Sequence, residues 1–285
     1  MAKKDDKSIR LFELSFFGGQ VDALLALMHD QLAGHRPWGK PTLTVMTPNP
    51  EQVMLTRNNP SFLRTLQSAD LLLPDGIGLI YASKILSKQN HGRSLTQRLP
   101  GRSVAARLLP TCAQNQYRVL VIGGRNLGVR PVFKHLGESS LYQLRPIHLS
   151  TAGGTRQVQP LSSDQWYWTE GYSAVAAPTR AEEQDLRALI EYVMPDLVLV
   201  AFGAPFQEQW LQDHLSLLEK NNVKLAMVVG GAFDVLTGAV PAPSAWMEKV
   251  GLEWAFRLWQ QPWRWRRQLA LVRFMGLVVR DDFAN

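Results

Sequence analysis

Five short apolar runs punctuate this chain, and each stops at a loop built from Gly, Pro, Asn or Asp. Leu43-Thr-Val-Met46 runs into Thr47-Pro-Asn-Pro50, and Ala69-Asp-Leu-Leu-Leu73 into Pro74-Asp-Gly-Ile-Gly78. Tyr117-Arg-Val-Leu-Val-Ile122 precedes Gly123-Gly124, Asp196-Leu-Val-Leu-Val-Ala201 precedes Gly203-Ala-Pro205, and Leu225-Ala-Met-Val-Val229 precedes Gly230-Gly231. Side chains on a strand alternate between faces, so strands that are apolar throughout must be covered on both sides. Between them lie segments with helical spacing, such as Glu51 to Thr65 with Val53, Met54, Leu55, Phe62 and Leu63, and Leu79 to Leu86. This rhythm predicts an α/β fold with a mostly parallel, doubly wound sheet flanked by helices, whose ligands bind beyond the carboxyl ends of the strands. Every loop just named falls on that edge.

A chain of 285 residues, 46% hydrophobic and 19% charged, can build one large domain with an appendage, or two small domains. Met1-Ala-Lys-Lys-Asp-Asp-Lys leads into no long apolar stretch, so residues 1–8 are expected to form a loose tail rather than a secretory signal, and the chain to be cytoplasmic. The single cysteine, Cys112, excludes an internal disulfide and suits a reducing compartment; packing is the plainer role for it and nucleophile the sharper one. From Ile147 to Gly171 the rhythm fails amid Gly, Ser, Thr and the aromatic triplet Trp166-Tyr167-Trp168, which reads as an insertion or irregular excursion. Pro241 and Pro243 would stop the preceding helix, which places a boundary near Pro243 between a main domain, 9–243, and an appendage, 244–285.

The loops hold the groups able to do chemistry. Asp75, between Pro74 and Gly76, could act as a base, because partial burial raises an ionised carboxylate's affinity for a proton; it could equally cap the following helix. Thr47 and Asn49 offer a hydroxyl and an amide for sugar or phosphate oxygens, with turn and cap chemistry as the alternative. Gln207 and Glu208 open a helix where free N–H groups could meet a diphosphate, unless Glu208 is simply a cap. Gly123 and Gly124, in Gly123-Gly-Arg-Asn-Leu-Gly128, permit close approach of a nucleotide, although the spacing is not a dinucleotide signature and tight turns explain them too. Gly230 and Asp234 carry the same two readings. The six histidines form no ligand pair and no Asp-x-Asp triplet occurs, so no metal site is expected, and a leaving group's charge would be met by arginines and backbone dipoles.

Taken together, Thr47-Pro-Asn-Pro50, Leu73-Pro-Asp-Gly-Ile-Gly78, Phe202-Gly-Ala-Pro-Phe-Gln-Glu208, Val229-Gly-Gly-Ala-Phe-Asp234 and Gly251-Leu-Glu-Trp254 with Arg257-Leu258 resemble the WecG/TagA/CpsF glycosyltransferases, in order and over roughly Lys40 to Arg267. The resemblance implies a Rossmann-like fold and an inverting, metal-independent transfer, without cofactor, from a UDP-sugar to a polyprenyl-diphosphate-linked glycan. An N-acetylmannosamine-type donor or a related hexose or uronic acid is implied. Carried over by motif, Asp75 would be the general base, Thr47 and Asn49 would line its pocket, Gln207 would contact the donor, and Arg98 in Gln97-Arg-Leu-Pro-Gly101 would match a further pocket arginine. Arg257, Arg264 and Arg267 would complete the diphosphate site. Three departures leave the donor sugar unassigned: Ser103 where the family usually has Asp, Phe206 where Lys is common, and Pro241-Ala-Pro243 without the arginine often found there.

The formal charge of +7 concentrates at the C-terminal end: five of the nine tryptophans lie between Trp246 and Trp265, and six arginines with no acid lie between Arg257 and Arg280. Trp favours the headgroup level and Arg an anionic leaflet, so the appendage is expected to bind an anionic membrane surface on the inner face of the cytoplasmic membrane rather than nucleic acid. Leu269 to Val279, eleven residues with Arg273 among them, is too short to span a bilayer. A helix packed on the core with snorkelling arginines is the plain alternative. Homo-oligomerisation is left open. Two rival functions remain at this stage: a nicotinamide oxidoreductase, from the glycine loops, and a non-enzymatic membrane or nucleic-acid adaptor, from the tail.

Overall fold

All five apolar runs form strands. The computed structural model describes residues 8–90, 93–124, 144–146, 166–236, 241, 247, 256, 258–259 and 265–280. Contacts divide the chain into two units, one holding Val21–Met46 and Gly101–Val240, the other Lys3–Gln20, Thr47–Pro100 and Pro241–Asn285.

The first unit is an all-parallel sheet with helices. Its strands are β3 (Leu43–Met46), β5 (Val119–Gly123), β6 (Leu144–Pro146), β7 (Trp166–Thr169), β8 (Leu197–Ala201) and β9 (Leu225–Val228), ordered β3-β9-β8-β5-β7-β6. Every residue from Val119 to Ile122, from Leu197 to Val200 and from Leu225 to Val228 is wholly buried, so both faces are covered, as continuous apolar strands require. Helices α1 (Val21–Leu32), α5 (Gly101–Gln114) and α9 (Ala232–Leu236) pack in sequence, α1 on α5 and α5 on α9, while α7 (Phe206–Asp213) lies on β8 and β9. Helices α6 (Arg180–Val193) and α8 (Leu215–Lys220) complete it. The carboxamide of Gln31, at the end of α1, donates to the carbonyls of Lys40, Pro41 and Lys224 at 3.1 Å each, fastening the helix to the segments that enter β3 and β9.

The second unit carries the hairpin β1 (Ser8–Leu11) and β2 (Leu14–Phe17), antiparallel, with β4 (Leu71–Leu72) parallel to β2. Around these stand α2 (Pro50–Asn58), α3 (Pro60–Ser68), α4 (Ile77–Asn90) and α10 (Trp265–Arg280), which packs on both α2 and α4. On α10, Phe274 and Val278 are wholly buried, and the Phe274 ring meets Phe12 edge-on at 5.6 Å. The fold class is α/β and Rossmann-like, mostly parallel, as expected from the strand pattern.

Three details depart from the expectation. The helix anticipated over Glu51 to Thr65 is two helices, because Pro60 has no N–H to continue the ladder and Asn59 serves both ends: its N–H donates to Thr56 and its side chain accepts from the Phe62 N–H. Trp166 to Thr169 is no irregular excursion but a buried strand paired with β5 and β6; a run of aromatics is β-prone, and that signal outweighs the polar residues before it. Residues 147–165 of that stretch lie outside the described residues. Ser8, assigned to the N-terminal tail, opens β1 opposite Phe17.

Cys112, wholly buried on α5, is a packing residue. Desolvation, reinforced by the charge of Asp196 and opposed by a backbone hydrogen bond, pushes its thiol up to about 12. At pH 8 the native protein is expected to leave Ellman's reagent untouched and to release one thiol equivalent in guanidinium; rapid labelling of the native chain would refute the buried placement.

Candidate functional site

In the second unit three loops are tied by their backbones. Thr47 and Pro48, both buried, continue from β3, and the Pro48 carbonyl accepts the Asp75 N–H at 3.2 Å. The Pro74 carbonyl accepts the Leu99 N–H at 2.8 Å. Thr47, Asn49, Asp75 and Arg98 therefore share one neighbourhood, built by main-chain bonds that do not depend on which side chains the loops carry. Asp75 is partly exposed and stands one residue outside α4, whose N-cap position is Gly76. Asn49 is the N-cap of α2: its side chain accepts the Gln52 N–H and the Gln52 side chain accepts the Asn49 N–H, each at 3.0 Å. The amide oxygen expected to meet a ligand is thus engaged in the cap. Leu271 of α10 lies so close to Gly78 that a Cβ there would stand 2.8 Å from its Cδ1, which seats the C-terminal helix directly beside the Asp75 loop.

The first unit holds the other candidates. Strands β5 and β8 are neighbours, but the chain leaves β5 toward β6 and β7 and leaves β8 toward β9, on the opposite side. Where the order reverses in this way, a crevice opens outside the carboxyl ends of the strands. Gly123-Gly124 and Phe202-Gly203 stand there. The glycines, however, are required by the protein itself: a Cβ on Gly123 would fall 2.7 Å from the Ala201 carbonyl carbon, and one on Gly124 would fall 2.3 Å from the Phe233 ring. Gln207, buried at the start of α7, accepts the Gly203 N–H at 3.1 Å through Oε1 and donates from Nε2 to Glu208 Oε1 at 2.9 Å. Gly230 has φ of +49° and lies flat against this amide; a Cβ would stand 3.2 Å from Gln207 Oε1. Asp234 sits on α9, but its side chain, like that of Arg267 on α10, is outside the described residues, as are Arg257 and Arg264 entirely.

Sequence reasoning gave no hint of a buried network behind the Phe202 loop. Glu183 accepts from Tyr172 and Arg187 and pairs with His214 Nε2, while Trp210 Nε1 donates to the Tyr172 hydroxyl at 2.8 Å. The His214 ring stacks on Trp210 at 4.4 Å, and Phe202 stacks on Tyr172 at 5.2 Å. Desolvation raises the Glu183 carboxyl, but the bonds from Tyr172, His214 and Arg187 outweigh it and hold it below the usual carboxylate range. Burial and the Glu183 acceptor push the Tyr172 hydroxyl up, so it stays a donor. These residues lie far apart in sequence with no fixed spacing, which is why no motif announced them. Glu208, for which the sequence leaves a capping role open, is wholly buried, and its Oε1 accepts from Gln207 Nε2.

Among the described residues no three His, Cys, Asp or Glu side chains gather as a metal site would need, and no helix is long and apolar enough to cross a membrane.

Comparison with known proteins agrees with the loop motifs. The chain is 28% identical over 262 residues (92% of this chain, 89% of the relative) to the N-acetylglucosaminyldiphosphoundecaprenol N-acetyl-beta-D-mannosaminyltransferase of Bacillus subtilis (strain 168). It is 27% identical to the enzyme of the same name from Bacillus spizizenii (85% of this chain, 80% of the relative). A third, from Staphylococcus aureus (strain MRSA252), is 26% identical (75% and 71%). The sequence model of the glycosyl transferase WecG/TagA/CpsF family matches residues 9–285, and with that span covered the chain belongs to this family of glycosyltransferases.

Proposed function

We propose that this glycosyltransferase moves a sugar of the N-acetylmannosamine type, or a related hexose or uronic acid, from a UDP-sugar onto a polyprenyl-diphosphate-linked acceptor in cell-surface polysaccharide synthesis. The observation that carries the acceptor is the name shared by the three relatives, each of which acts on N-acetylglucosaminyldiphosphoundecaprenol. The donor reading is supported by the reversal of strand order at β5/β8, where sheets of this kind bind ligands, and by the arginines of the C-terminal motif. The oxidoreductase and adaptor readings give way to membership of the family.

In this mechanism Asp75 takes the proton of an acceptor hydroxyl, the oxygen attacks the anomeric carbon, and the bond to UDP breaks with inversion. Backbone N–H groups and arginines Arg98, Arg257, Arg264 and Arg267 meet the charge that develops on UDP, with no metal ion and no cofactor. Asp75 suits the role because it stands on a loop that main-chain bonds fix to the Pro48 carbonyl and the Leu99 N–H. Transfer from a panel of UDP-sugars to a polyprenyl-diphosphate sugar, with and without EDTA, tests the reading: one donor is expected to react equally in both, and loss of activity with EDTA would remove the metal-independent part. General-base removal costs roughly 100- to 10,000-fold, so Asp75→Asn is expected to lower kcat by at least about 100-fold with unchanged folding by circular dichroism; undiminished turnover would discard the base assignment.

The enzyme is further proposed to work at the anionic inner face of the cytoplasmic membrane through its C-terminal appendage. On α10, Val272 and Val279 are 70% and 63% exposed beside exposed Arg273 and Arg280, and Trp259 is 78% exposed. Apolar side chains among cations suit an interfacial helix. Val272→Glu with Val279→Glu is expected to reduce co-sedimentation with phosphatidylglycerol vesicles several-fold; unchanged pelleting would refute the membrane role.

A further inference from the structure

A glutamine amide is symmetric in shape but not in chemistry: one end only accepts and the other only donates. Which end faces a ligand decides what the ligand must offer. For Gln207 two unlike neighbours remove the ambiguity. The Gly203 N–H can only donate, and it meets Oε1 at 3.1 Å; Glu208 Oε1 accepts from Nε2 at 2.9 Å. Turning the amide over would set two oxygens together on one side and two N–H groups together on the other, both at hydrogen-bond distance. Gly230 confines the group from a third side, since even a methyl there would press on Oε1 at 3.2 Å. Gln207 is 5% exposed and Glu208 wholly buried, so solvent cannot reorganise the pair readily.

One bond from Nε2 to Glu208 leaves the second Nε2 hydrogen for another acceptor. It lies at the start of α7, between the Gly203 and Gly230 loops, on the carboxyl edge of β8 and β9. We infer that Glu208 is a positioning residue, whose buried carboxylate holds Gln207 so that it meets the nucleoside diphosphate as a hydrogen-bond donor to an acceptor oxygen. The inference rests on the UDP-sugar reading above, and it gives Glu208 a part that helix capping does not: it sets the polarity of the contact rather than the stability of the helix.

Glu208→Gln removes the obligate acceptor, because a second amide can present either end, and of the two fixed neighbours the Gly203 N–H alone is left to orient Gln207. A hydrogen bond to a charged group is worth enough that UDP affinity, by titration calorimetry, is expected to fall roughly tenfold to hundredfold, with the donor KM rising in step and kcat little changed. The swap Gln207→Glu with Glu208→Gln separates positioning from packing. It restores a matched donor and acceptor within the pair and an acceptor for Gly203, so Tm is expected to return to the wild-type value, yet the outward group is now a carboxylate and UDP binding stays lost. Recovery of UDP binding in the swap, or wild-type affinity in Glu208→Gln, would overturn the inference while leaving the donor reading intact. Absence of UDP binding by the wild-type enzyme would instead overturn the donor reading, and the inference with it.

Discussion

The burial of a parallel sheet on both faces is the constraint from which the rest follows. Along β5, β8 and β9, successive residues point to opposite sides, and all but Ala201, at the end of β8, are shielded from water. Each Val or Leu so placed contributes roughly 1.5–3 kcal/mol by leaving water, and an unsatisfied polar group in its stead would forfeit that and cost more besides. Strand interiors are thereby closed to chemistry. In the first unit the polar groups fall to the loops and helices around the strands, and the parallel strands put the loops after β5, β8 and β9 on one edge. Gly123, Gly203, Gln207 and Gly230 stand there.

Those loops are shaped less by ligand than by the protein around them. Gly123 and Gly124 are glycine because Ala201 and Phe233 occupy the space a side chain would need, and Gly230 because Gln207 lies against it. Behind the Phe202 loop the Tyr172, Glu183, Trp210 and His214 network fixes an aromatic stack without leaving buried charge unaccompanied. Such a fully bonded polar cluster is rigid, since each member loses its partner if another moves. A rigid scaffold under mobile chemistry is what transfer between two bulky substrates demands, because the reacting atoms must be held within a fraction of an ångström of the productive geometry.

In the second unit the same economy of means appears in the main chain. The Asp75 loop is held by main-chain bonds, from the Asp75 N–H to the Pro48 carbonyl and from the Leu99 N–H to the Pro74 carbonyl. Asn49, by contrast, spends its oxygen on the capping box of α2. The two residues stand differently toward the helices that follow them. Helix α2 begins at Pro50, immediately after Asn49, whereas α4 begins at Ile77, two residues after Asp75.

Strand existence, fold class and family were legible in the chain alone, because continuous apolar runs and Gly/Pro/Asp loops are local and carry their physics with them. Motif alone singles out Asp75 and Gln207, and the structure places the first on a loop of the second unit and the second at the start of α7. Other features were not legible. The break at Asn59-Pro60 was written in the sequence but masked by an apolar spacing that ran on through it, and β7 was masked by the polar stretch before it. The bond between Gln207 and Glu208, the contact of Gly124 with Phe233 and the cluster around Glu183 belong to tertiary structure: neighbours in sequence or not, these side chains acquire their partners only when β8, β9, α6 and α7 are packed together, and no residue's own chemistry specifies which buried donor will meet which acceptor.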